Sequence, residues 1–77
     1  MPTSTRKNRR LRLQIAARIQ ERRLAAGLTV TELASRVGIS QPSMHYIDTG
    51  ARGAKLSTLA AIAAALKVPL KDLLPDA

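Results

Sequence analysis

Residues 29–50 read TVTELASRVGISQPSMHYIDTG, two short helical segments hinged at a glycine. Thr29 and Glu32 stand three apart, the spacing of a capping box, in which a Thr side chain and a Glu side chain each satisfy a free backbone N–H of the first turn. Leu33, Ala34 and Val37 then share one face, and Gly38 stops the segment. Ser40 is a second cap. Pro42 is tolerated because first-turn N–H groups lack helical partners anyway, and Gly50 ends the second segment. Two short helices joined by a turn of three or four residues containing Gly form a helix-turn-helix. Leu33, Val37, Ile39, Met44 and Ile47 are expected to meet inside it. At about 100° per residue, Pro42, Tyr46 and Thr49 then centre on the free face of the second helix. His45 lies at the edge of that face and Gln41 at its tip.

Outward from this motif the pattern stays helical. Leu11, Ile15 and Ile19 recur every four residues before Gly27, which predicts a helix from about Arg9. Leu59, Ile62, Ala63 and Leu66 predict a fourth helix over 57–67, broken at Val68-Pro69. Leu70 to Leu74 can add a turn or two, and Ala60, Ala61, Ala64 and Ala65 permit close helix packing. No alternating strand pattern and no repeat occurs. The expectation is an all-α, compact five-helix domain over residues 9–77. A disordered basic N-terminal arm, residues 1–8, precedes it, and the motif occupies about 29–49.

Composition bounds the function. A chain of 77 residues buries only about 60% of its unfolded surface, so one small core is expected. It has no Cys and one His, which excludes a disulfide framework and a zinc site built from this chain alone. No apolar run approaches the roughly 20 residues needed to span a bilayer, and no apolar segment follows the basic N-terminus as in a signal peptide. The default is a soluble cytoplasmic protein without a membrane partner. Net charge is +8 and is uneven. Residues 1–26 carry eight basic residues against Glu21 alone, a net of +7, whereas residues 27–77 sum to +1. Such a distribution points to a polyanion, nucleic acid before membrane, with Arg6, Lys7, Arg9 and Arg10 in the arm as contacts.

The motif, with RRLAAG before it and LSTLAAIAAALKVPLKDLL after it, resembles the DNA-binding domain of the phage Cro and lambda-repressor type over about residues 15–74. The resemblance implies that the second motif helix enters the major groove, with Gln41, Pro42 and Tyr46 on base-reading positions and His45 beside them. Gln suits an adenine edge, Pro a thymine methyl, Tyr a hydroxyl contact, and His either donor or acceptor roles. The resemblance further implies an internal ion pair between Arg23 and Asp48. Phosphate contacts are expected from Thr29, Thr31, Ser40, Ser43, Thr49, Arg52 and Lys55, which lie at helix N-termini or flank the reading helix. Three positions depart from the pattern. Pro42 replaces a common long polar residue, and Arg22 replaces an often apolar one. Lys55 replaces a Ser or Thr cap, leaving Ser57 to cap the fourth helix.

The function expected is a sequence-specific regulator of transcription, a repressor, bound as a homodimer to a palindromic duplex operator. Leu70, Leu73 and Leu74 form the candidate dimer interface. A toxin-like protein partner fits the same pattern. Competing classes are a protein-interaction or coactivator module of this fold and a nonspecific RNA-binding protein. The single Tyr argues against the last, because single strands are held largely by stacking. Neither a nucleophile–base pair, paired carboxylates, a phosphate-binding glycine loop nor a metal spacing is visible, so no enzyme chemistry and no cofactor is expected.

Overall fold

The structure is a computed structural model. It describes residues 2–75, with side chains from Asn8 to Pro75. Four α-helices and one 3-10 turn make up its regular structure: α1 (Pro2–Ala25), α2 (Val30–Val37), α3 (Gln41–Thr49), α4 (Leu56–Leu66) and the turn Leu70–Leu73. Among the described residues there is no strand.

α1 corrects the expected arm. It starts at Pro2, so the backbone of residues 2–8 forms the opening turns of the helix. The reason is local: no Pro or Gly interrupts the run from Thr3 to Ala25, and a Pro at the first helical position forfeits an N–H that would be unpaired there in any case. The side chains of Arg6 and Lys7 lie outside the described residues. The packed part of α1 begins later than Leu11, which is 43% exposed; Ala16 and Ile19 are buried and Ile15 packs beside them.

The hinge elements follow their caps. Thr29 Oγ1 accepts from the Glu32 N–H at 3.0 Å, and the Thr29 N–H donates to Glu32 Oε1 at 2.9 Å. Hydrogen bonding from Thr29, its backbone N–H first and its side chain second, holds the Glu32 carboxyl below the ordinary glutamate range. Ser40 Oγ accepts from the Ser43 N–H. Gly38 and Gly50 end α2 and α3 with φ of 86° and 81°. α4 starts one residue earlier than the spacing predicts, at Leu56, with Lys55 at its cap and no side-chain capping bond, so Ser57 does not take that role. Its last residue is followed by Lys67 at φ 59°, a left-handed conformation that the adjoining Val68-Pro69 does not allow to continue as helix.

α2 packs on α3 and α4, α1 packs on α3, and the 3-10 turn closes against α4 and α1. Ile19, Leu33, Met44, Ile62 and Leu73 are the large side chains fully buried between them. Each α-helix supplies one, and the 3-10 turn the fifth, so every element contributes to the core. Complete burial of Leu73 removes it from the expected dimer interface. The innermost Leu of the 3-10 turn is spent on the monomer core. Leu70 and Leu74 are only partly buried.

Candidate nucleic-acid interface

α3 is held rigidly from behind. Met44, Ile47 and Asp48 are buried. The Asp48 carboxylate accepts from Arg23 Nε at 2.9 Å through Oδ1, and from Arg23 Nη2 and Gln20 Nε2, both at 3.3 Å, through Oδ2. Arg23 also donates from Nη1 to the Leu28 carbonyl at 2.9 Å. Charge is thus removed from water only where the partner charge and extra hydrogen bonds compensate, as buried ion pairs require. The α3 C-terminus is pressed onto α1. A Cβ on Gly50 would lie 2.8 Å from Leu13 Cδ2 and 3.3 Å from Leu13 Cα, and Arg12 Nε donates to the Gly50 carbonyl at 3.4 Å.

The outer face of the same helix is free. Gln41, Pro42, His45 and Tyr46 are all exposed. The His45 and Tyr46 rings meet edge-on, 6.3 Å apart. The Arg52 guanidinium, from the loop after α3, lies over the Tyr46 ring, 4.4 Å from its centroid, and the Arg52 N–H donates to the Tyr46 carbonyl at 3.2 Å. Tyr46 therefore stays on the free face, covered by an arginine.

The expected phosphate contacts divide by whether their donors are already used. The Thr29 N–H is taken by Glu32. Ser40 Oγ donates to Ser43 Oγ at 2.8 Å, and Thr49 Oγ1 donates to the Tyr46 carbonyl at 3.3 Å. Thr31, Ser43 and Lys55 are exposed beside α3, and no described hydrogen bond uses the Thr31 hydroxyl proton, the Ser43 hydroxyl proton or the Lys55 ammonium. Arg9 and Arg10 are exposed on α1.

Sequence reasoning missed three of these features. Gln20 assists the buried pair from α1, Arg22 reaches Asp72 of the 3-10 turn at 3.6 Å, and Arg52 stacks on Tyr46. Each joins residues brought together by turns, which leave no periodic signal. Among the described residues no group of three His, Cys, Asp or Glu side chains is placed to hold a metal, and no helix is long and apolar enough to cross a membrane.

Two caps, an interior ion pair and a free outer face define a helix-turn-helix DNA-binding domain. The sequence agrees: residues 14–75 match the family model described as helix-turn-helix domain, and the chain belongs to that family. Among solved structures, it is similar to the restriction-modification controller protein C.AhdI from Aeromonas hydrophila, with a TM-score of 0.79 at 25% identity over 82% of this chain and 96% of that one. The fold is also that of the clp gene regulator ClgR from C. glutamicum, with a TM-score of 0.76 at 24% identity over 80% of each chain. No curated protein matches the chain.

Proposed function

We propose that this protein is a sequence-specific regulator of transcription that binds duplex DNA, reads the major groove with α3 and represses the promoter it covers. One observation carries the reading. α3 is fixed from behind by a buried ion pair, yet presents Gln41, Pro42, His45 and Tyr46 to solvent, outside the buried core. A helix held this way on a basic chain positions base-reading groups without needing to order them on binding. Thr31, Ser43 and Lys55 flank the helix and supply register on the phosphates, while Arg9 and Arg10 extend the positive surface along α1. The likeness to a restriction-modification controller protein supports regulation as the role.

The working unit is a homodimer on a palindrome. One reading helix spans too few base pairs to define a rare site, and two related by a dyad read half-sites about 34 Å apart. Leu70 and Leu74, incompletely covered by the monomer, form the contact. Selection of bound sequences from random duplex DNA tests the proposal. A palindromic motif with half-sites one helical turn apart supports it, and recovery of unenriched sequence overturns it.

A further inference from the structure

Arg52 belongs neither to α3 nor to the buried pair, and its surroundings are unusual for a loop arginine. Among the described residues no carboxylate pairs with it and its guanidinium donates no hydrogen bond. Tyr46 covers one of its faces at 4.4 Å. The loop that carries it is pinned on both sides. The Arg52 N–H is tied to the Tyr46 carbonyl, Gly50 is seated on Leu13 with its carbonyl held by Arg12, and Gly53 lies so near Arg12 that a Cβ there would stand 3.3 Å from Arg12 Cδ. A guanidinium in this state has given up much of its freedom before any ligand arrives. Its face is occupied and its N–H edges are open.

Resting on the proposed reading of duplex DNA, we infer that Arg52 is a base-reading residue, specific for guanine, and that Tyr46 is its positioning residue. Tyr46 occupies the centre of the face that α3 turns to the groove. A guanidinium stacked on that ring lies against the same face, and on the inference its open edge turns to the bases rather than to the phosphate rim. Two parallel N–H donors in a plane match the O6 and N7 acceptors of guanine in the major groove. Lys cannot replace Arg here, because an ammonium has neither the planar fork nor a face to stack. The reading surface thus extends beyond the helix into the loop, and a phenol ring serves to aim a cation as well as to make contacts of its own.

The experiment is selection from random duplex DNA with the wild-type chain and with Arg52→Lys, Tyr46→Leu and Tyr46→Phe, each checked by thermal melting. The wild type is expected to enrich one guanine in each half-site. Arg52→Lys and Tyr46→Leu should lower that preference roughly tenfold or more, the range of a bidentate base contact. Tyr46→Phe, which keeps the ring, should retain it. Retention of the full motif by Arg52→Lys makes Arg52 a phosphate contact and overturns the inference, and retention of the guanine by a folded Tyr46→Leu removes Tyr46 from it. If Tyr46→Leu fails to fold, Arg52→Lys and Tyr46→Phe decide. A wild type that selects no motif at all defeats the proposed function itself, and this inference with it.

Discussion

Asp48 shows how much a single side chain commits to this fold. It is buried, yet its carboxylate faces two cationic nitrogens of Arg23 and an amide of Gln20. Replacing it by Ala strands the Arg23 charge in the interior, a loss of about 3–5 kcal/mol. Asp48→Ala should therefore lower the melting temperature strongly, and a variant of normal stability would show that α3 is held by something else. Glu32 acts at the surface and depends on pH. Its folded pKa is lowered by the Thr29 bonds, so its contribution is complete above the unfolded value and is lost as pH falls through the folded one. An NMR titration of the Glu32 carboxyl should give a value below that of an ordinary glutamate, and Thr29→Ala should bring it only part of the way back, because the backbone N–H of residue 29, the larger cause, is kept. An unshifted carboxyl would mean the capping box is open in solution.

Among the elements, the short helices were the most legible and the long one the least. Thr29, Glu32, Gly38, Ser40 and Gly50 announce α2 and α3 because caps and stops are local chemistry, readable in a window of four residues. α1 extends to Pro2 against expectation because polar, basic residues carry no apolar period, although they are good helix formers. The exposed face of α3 was legible as the complement of the buried one. The Arg52 stack was not, since it spans the left-handed turn at Gly50. That turn also separates two kinds of glycine. Gly38 and Gly50 share a positive φ, but a Cβ at Gly38 meets nothing within 4 Å, whereas one at Gly50 meets the α1 backbone. Gly38→Ala should cost about 1–2 kcal/mol, the left-handed penalty alone. Gly50→Ala should cost clearly more in the same denaturant titration; equal losses would mean α1 yields to α3. Along α1, neutralising Arg9 and Arg10 as Gln should weaken binding to every duplex alike. The slope of the salt dependence should fall by about 0.9 for each phosphate that the variant leaves unneutralised, and an unchanged slope would leave both arginines in solvent.

For the whole molecule, stability and recognition are built on the same elements. The 3-10 turn that buries Leu73 also closes α4 against α1, with Arg22 and Asp72 as an outer tie, and it leaves Leu70 and Leu74 partly open. If those two form the dyad contact, Leu74→Glu should sediment as a monomer at concentrations where the wild type is a dimer. A dimer indifferent to that change would lie on another face. Above all, the proposed function has the outer face of α3 distinguish one duplex from another. The property to measure is therefore a ratio, affinity for the selected site over affinity for random duplex, in the wild type and in Gln41→Ala and Tyr46→Ala. A good base contact contributes about 1–3 kcal/mol to discrimination, so each variant should give up roughly that much of the ratio while still binding random DNA nearly as well as the wild type. Both variants keeping the wild-type ratio would contradict this role for α3, because the groove would then be read by some other part of the protein.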